Sequence, residues 1–360
     1  MTATQEVELD GAVKLIARGF DVYERVFARG RAGRALSRPR PVRRAGFDLQ
    51  LRVAERRMVA EDVVALTLVD RAGARLPSWH PGAHLDVFLP SGCLRQYSLS
   101  GRPDDTHRYR IAVRLLPDGG GGSREIHEDL DEGAIVRVRG PRNAFRLVDA
   151  PSYRFVAGGI GITPILPMVQ TAAARGVRWR LVYLGRSEST MPFLDELAAC
   201  PGGDVLVHAD DGDGFADVAA ILGELQALPP VPDLYVCGPP PLMDTARQLM
   251  RALDPLAPVF SERFSALPVV GGEPFTVELA RSGRTVGVAA DESALTAIRR
   301  VLPDVRYSCQ QGFCRTCTCR VLDGEVEHRD KRVLLDAERA DSMLICVSRA
   351  AAGERLVLDL

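Results

Sequence analysis

Lysine is all but missing from this chain: of 46 basic residues only Lys14 and Lys331 are lysines, and the other 44 are arginine. A bias that broad is compositional, so no arginine marks a site by its type alone. The net charge of −1 leaves no global field to attract nucleic acid or an acidic partner. No apolar run approaches the ~20 residues that span a bilayer, so no transmembrane segment is expected. The N-terminus shows no basic, then apolar, then small succession of a secretory signal. The cytoplasm, where disulfides rarely persist, is the expected setting. No internal repeat is visible. The six histidines are scattered and mark no metal site, and no hydrolase G-x-S-x-G occurs. "DDGDG" (210–214) lacks the distal Glu of a calcium loop and reads as a solvated turn.

What is present divides the chain. A length of 360 residues exceeds one ordinary core and suggests two or three domains. Val13, Ile16, Phe20, Tyr23 and Phe27 recur at three- and four-residue steps, which predicts an amphipathic helix within 1–46, followed by a basic, proline-broken linker. That helix either packs on the body or docks to a partner. Residues 47–150 carry short β-like runs between turn residues, such as "VVALTLVD" and "AHLDVFLP", the pattern of an antiparallel barrel. Across 151–265 apolar strands alternate with helical stretches, which implies an α/β domain with a parallel sheet. Residues 266–273 read as a linker, and 274–360 as a third domain that opens on strand-like "FTVELARSGRTVGVA".

Four of the eight cysteines fall within "SCQQGFCRTCTC" (308–319). Cys309, Cys314, Cys317 and Cys346 give C-x4-C-x2-C-x28-C, the plant-type ferredoxin spacing for a [2Fe–2S] cluster. A zinc site would more naturally show two C-x2-C knuckles. Gly312 suits a loop that must turn tightly around the sulfides. Cys319 is a spare, and Cys93 and Cys200 carry no motif. The domain is similar to the ferredoxin domain of the phthalate dioxygenase reductase family, which includes vanillate demethylase reductases, and the resemblance implies a β-grasp-like α+β fold. It departs from that family at Arg315, where glycine is usual. The cation either sits beside the cluster and raises its potential, or points outward toward an acidic partner.

A cluster takes electrons singly, so a two-electron donor needs an intermediary, and flavin is one. In "RQYSLS" (95–100), Tyr97 can stack on isoalloxazine, Arg95 can pair with phosphate, and Ser98 offers a hydroxyl near the reacting nitrogen. By itself the run equally fits an edge strand. It resembles the flavin motif of the ferredoxin–NADP reductase superfamily, in which Gln96 and Leu99 belong to the same strand. "GGGGSREIH" (119–127) places free N–H groups ahead of a short helix. Gly121, Gly122 and Ser123 resemble the segment with which the phthalate dioxygenase reductase family binds FMN. His127 is a possible FMN contact there. "RIAVRL" corresponds to the strand passing the flavin ring, with Ala112 and Val113 as candidates.

"FVAGGIGITP" (155–164) is a strand, a glycine turn and a helix opened by Pro164. It is neither a P-loop nor a G-x-G-x-x-G fingerprint. Together with "YVCGPPPLM" (235–243) it resembles the superfamily's nicotinamide pair. Gly159, Gly161, Thr163, Cys237 and Gly238 would then bind the coenzyme, with Cys237 near the hydride-bearing carbon. Glu262 and Phe264 of "SERFSA" would lie near the flavin. Arg186 favours a 2′-phosphate and Glu188 a free ribose, and family precedent leans to NADH.

The resemblance covers about residues 48–360. It implies a monomeric, NAD(P)H-dependent oxidoreductase that passes electrons through FMN and the cluster to a separate oxygenase. A Rieske-type oxygenase is the preferred acceptor and a bacterial cytochrome P450 the runner-up. An iron–sulfur redox sensor is the alternative from another class. Ser98, Cys237 and Glu262 are the candidate catalytic residues.

Overall fold

The computed structural model describes residues 47–117, 121–223, 233–255, 257–264, 267–303, 305–307, 310–312, 315–330, 333–351 and 354–360. The expected N-terminal helix, Gly119, Gly120, Cys309 and Cys314 lie outside them.

Strands β1 (Phe47–Ala60), β2 (Val63–Asp70), β3 (Ala83–Phe88), β4 (Leu94–Ser98), β5 (Arg108–Arg114) and β6 (Ile135–Asn143) form an antiparallel sheet in the order β4-β3-β6-β1-β2-β5. Along β1, buried Leu51 and Val53 alternate with exposed Gln50 and Arg52, the period of a half-buried strand. A pairing of Leu99 with Ile111 brings the end of β4 to β5 and closes the sheet into the expected barrel. Helix α1 (Gly122–Asp129) lies between β5 and β6.

Next come β7 (Ser152–Gly158), α2 (Ile162–Ala174), β8 (Arg178–Gly185), α3 (Leu194–Ala198), β9 (Gly203–Ala209), β10 (Asp233–Cys237), α4 (Pro240–Leu253) and β11 (Val259–Glu262). Their five strands are all parallel, in the order β11-β10-β7-β8-β9. Every residue of β7 is buried because both faces of the sheet are covered. Strand order reverses between β7 and β10, so their carboxyl ends form a switch point, where α/β sheets bind ligands. Helix α2 begins at Ile162, after a short 3-10 turn over Gly159–Gly161. Pro164 is therefore its third residue rather than its first, because the glycine turn consumes two fewer residues than the sequence suggests. The barrel meets this domain through Ala65 and Ala112, which share a core with Ile162 and Ile165. Arg110 also forks onto Glu196 of α3 at 2.7 and 2.9 Å.

The third sheet combines β12 (Phe275–Leu279), β13 (Arg284–Val288), β14 (Thr318–Asp323), β16 (Ser342–Leu344) and β18 (Arg355–Leu358), in the order β13-β12-β18-β14-β16. Strands β15 (Val326–Glu327) and β17 (Arg349–Ala350) pair separately. Helix α5 (Ala294–Arg299) packs on the sheet, its first turn capped by Ser293 Oγ, which accepts from Thr296 N at 3.2 Å. The segment expected as a linker is pinned to this domain. Arg329 donates to the carbonyls of Val270 and Gly271. Buried Arg349 donates to those of Glu273 and Ala289 while lying over the Phe275 ring.

Candidate functional site

The barrel supplies one wall. Gly121 has φ 85°, a conformation glycine adopts at little cost, and it leads into α1. A Cβ on Gly122 would stand 2.7 Å from Arg95 Nε, so the arginine of β4 lies directly against the start of the helix. A phosphate there would meet a guanidinium and free helical N–H groups together. Buried Ser123 is turned inward: its Oγ accepts from Leu116 N at 3.0 Å and fastens the turn. His127 is not aimed at this place, because its Nε2 is bonded to Val113 O at 2.9 Å. Half-buried Tyr97 has its hydroxyl pushed up to about 12 by burial. Leu99 and Val113 point into the barrel core, whereas Ala112 faces the core shared with α2. Only backbone of Leu99 and Val113 is therefore available to a ligand.

The parallel sheet supplies the second wall. Gly159 has φ 52°. A Cβ on Gly161 would come within 2.2 Å of Cys237 O, and one on Gly238 within 3.0 Å of Gly158 N. The two motifs, separated in sequence, are thus pressed backbone to backbone at the switch point. Thr163 Oγ1 donates back to Ile160 O at 3.0 Å, holding the turn shut. Cys237 is fully buried, and burial, reinforced by Glu262, keeps its thiol well above the ordinary range. It is a neutral, close-packed group and no nucleophile at neutral pH. Arg186 lies just beyond the end of β8, where its carbonyl accepts from Asp211 N at 2.9 Å. Glu188 stands in the 3-10 turn that follows.

The walls meet at Glu262, which pairs in register with Cys237. Ser98 Oγ donates to Glu262 Oε2 at 3.3 Å across 164 residues of sequence. Burial pushes the Glu262 carboxyl up to about 8, partly opposed by that hydrogen bond. The acid therefore holds its proton at neutral pH. A cavity here is lined by Gln96, Ser98, Glu262, half-exposed Phe264, Gln310 and Gln311. Barrel, parallel sheet and cysteine loop thus reach one space.

Cys317 and Cys346 are both buried, both free of disulfides and both in the core of the third sheet. Ile345 N donates to Cys317 O at 3.4 Å, which brings the two stretches together. Gly312 has φ 74°, and a Cβ on it would meet Val347 Cγ2 at 2.8 Å, so the loop lies close against the residue after Cys346. Buried thiols on two apposed, tightly turned segments fit an iron–sulfur cluster. Arg315 resolves its alternatives differently from either expectation: its guanidinium pairs with Glu338 on the same domain. Buried Cys319 has its thiol pushed up to about 12 by burial, as suits a packed neighbour.

Sequence reasoning passed over His84 and Gln311, which line the same cavity. His84 is buried, and burial followed by the nearby Arg142 lowers its pKa to about 3, so it is a neutral imidazole. His84 stands in a β-run, where its four-residue spacing from His80 carries no helical signal. Gln311 lay in view inside the cysteine loop.

Fold and site together define a modular oxidoreductase: a closed antiparallel barrel, a parallel-sheet domain and a ferredoxin domain around a common cleft. The 2Fe-2S iron-sulfur cluster binding domain family matches residues 277–351. Phthalate dioxygenase reductase of Burkholderia cepacia is 40% identical over 320 residues, spanning 88% of this chain and 98% of that protein. The chain belongs to the phthalate dioxygenase reductase family. A solved phthalate dioxygenase reductase, described as a modular structure for electron transfer from pyridine nucleotides to [2Fe–2S], superposes with a TM-score of 0.66 at 39% identity, covering 87% of this chain and 98% of that one. An intact type IV self-sufficient cytochrome P450 monooxygenase gives a TM-score of 0.68 at 38% identity, covering 92% of this chain and 45% of that one.

Proposed function

We propose that the protein is the reductase component of an oxygenase system, carrying electrons from NADH through FMN to a [2Fe–2S] cluster and on to a separate Rieske-type oxygenase. The observation that carries this reading is the common cavity, where Ser98 of the barrel, Glu262 of the parallel sheet and Gln311 of the cysteine loop meet. When bound, flavin exchanges an electron pair for single electrons, and the cluster takes those singly.

The chain's own residues bind, orient and exclude water. Arg95 and the start of α1 hold a phosphate, and Tyr97 offers a ring face beside it. Gly159, Gly161 and Gly238 admit the nicotinamide end close to backbone, over the buried Cys237 thiol. Glu262 keeps its own proton while accepting from the Ser98 hydroxyl, so the pair presents no negative charge to an arriving hydride donor. Cys309, Cys314, Cys317 and Cys346 are the four thiolates for the cluster. Arg186 and Glu188 stand where coenzyme choice would be made.

Anaerobic addition of NADH to reconstituted protein should bleach its visible absorption and support rapid cytochrome c reduction. Cys346→Ser should abolish the cluster's spectrum while leaving reduction of the flavin by NADH. Colourless protein, or absorption that NADH does not bleach, would refute the reading, and loss of steady turnover alone would favour a redox sensor. A cytochrome P450 acceptor is the second reading, and the likeness to the self-sufficient monooxygenase supports it. Oxygenase turnover with each purified partner separates the two. A monomeric state and a cytoplasmic setting belong to the same proposal. Among the described residues no helix is long and apolar enough to cross a membrane.

A further inference from the structure

Polar groups of low exposure lie outside the chemistry just described, and Asp86, Arg142, Arg299 and Tyr307 line up between barrel and ferredoxin domain. Leu94, the first residue of β4, is a barrel residue, yet it is buried in the ferredoxin core with Tyr307 and Ile298. Phe88 of β3 packs against the same core. Arg299 of α5 donates to Leu94 O at 3.4 Å and lies 4.4 Å over the Tyr307 ring. Arg142 of β6 also lies over that ring, at 5.9 Å. Tyr307, two residues before Cys309, thus contacts one guanidinium from its own domain and one from the barrel.

Arg142 is held there by Asp86. The two form an ion pair with almost no exposure, side chains 9% and 2% accessible. The same Asp86 oxygen accepts from Gln96 Nε2 at 2.9 Å, and Gln96 lines the cavity beside His84 and Ser98. A buried carboxylate so placed fixes two things at once: a wall of the flavin pocket and the cation that seats Tyr307. Taking such a pair out of water is costly, so its geometry is set by function or by a demand for one unique arrangement.

We infer that the Asp86–Arg142 pair is a positioning device that seats the cluster-bearing segment against the flavin pocket by fixing the guanidinium over Tyr307. This rests on the electron-transfer reading above. Neither Arg142 nor Tyr307 lines the cavity at Ser98 and Glu262, so their substitution should act on the second transfer and not on the first.

The test compares Arg142→Lys, which keeps the charge on Asp86 but loses the planar face, with Arg142→Met and Tyr307→Leu. In the reconstituted holoprotein, amide exchange of Val305–Tyr307 should rise about tenfold in each variant, least in Arg142→Lys. In stopped flow the NADH-to-flavin phase should be unchanged, while the flavin-to-cluster phase slows about tenfold or more. The double variant Arg142→Met/Tyr307→Leu should be no worse than Tyr307→Leu alone, because the contact between Arg142 and the ring is already lost there. Unchanged exchange at Val305–Tyr307 in Arg142→Lys, or equal slowing of both phases, would overturn the proposal. Because exchange is measured without coenzyme, its outcome stands even if the electron-transfer reading fails.

Discussion

The turn after β7 and the loop that carries the cysteines both bend the backbone sharply, and they do so under different constraints. At the switch point the constraint is contact. A side chain on Gly161 would overlap Cys237 O, and one on Gly158 would stand 2.6 Å from Pro239 Cδ. In the cysteine loop the constraint is mostly conformation. Gln310, Gly312 and Arg315 have φ of 52, 74 and 61°, and a Cβ on the glycine would meet the side chain of Val347 rather than backbone at 2.8 Å. A left-handed residue with a Cβ costs about 1–2 kcal/mol. Arg315 offsets that cost locally: its carbonyl accepts from Thr318 N and Oγ1, and its guanidinium pairs with Glu338. A backbone packed on backbone has no substitute for glycine, whereas a turn in open space can keep a side chain if its bonds are good.

The comparison is sharpened most at Gly161. Gly161→Ala must part β7 from β10, and should cost about 3 kcal/mol of unfolding free energy. It should also slow flavin reduction by NADH about a hundredfold, because the nicotinamide end is displaced. Denaturant titration and single-turnover kinetics check the two parts. Gly312→Ala should be milder, about 1–2 kcal/mol, since it adds left-handed strain and a contact with a flexible valine. Its expected signature is a weaker cluster signal in electron paramagnetic resonance.

Glu262 tests the chemistry beside the turn. Its folded carboxyl holds a proton up to about 8, which the unfolded chain releases near 4.5. The folded state therefore binds the extra proton, and this group lowers stability as pH rises between those values. Glu262→Gln should remove that part of the slope, and should flatten the fall of kcat/KM for NADH expected above about pH 8. Thermal unfolding and initial rates across pH 5–9 measure both; a slope identical to that of the unaltered protein would sink the assignment.

The smallest effect is expected at Arg315. Arg315→Gly relieves left-handed strain and loses a surface ion pair, so stability should stay within about 1 kcal/mol. Since Glu338 already balances the cation, potentiometric titration should find the cluster's midpoint unchanged. A clear shift would mean that the guanidinium, not the pair, is what the cluster senses.

Where the constraint is local, it was legible in advance. The glycines of "FVAGGIGITP" and the spacing of Cys309, Cys314 and Cys317 are written within a few letters, and so is the alternation along β1. The boundary of α2 was misjudged by two residues, because a 3-10 turn and an α-helix start from the same letters. The destination of Arg315 was not legible either. Its partner lies 23 residues away on a surface turn, and among 44 arginines no spacing singles out one pair.

The sequence by itself determined the three kinds of sheet and the positions of the glycines and clustered cysteines on which the proposed flavin, pyridine-nucleotide and cluster sites rest. Those follow from periodicity, glycine and cysteine, whose physical demands are met within a few residues of chain. Only the tertiary structure decided that Ser98 would meet Glu262, that Asp86 would hold Arg142 over Tyr307, and that Gln311 would reach the same cavity. A buried charge or hydroxyl is satisfied by whichever partner the packing of whole sheets brings to it, and that choice leaves no trace in the order of neighbouring residues.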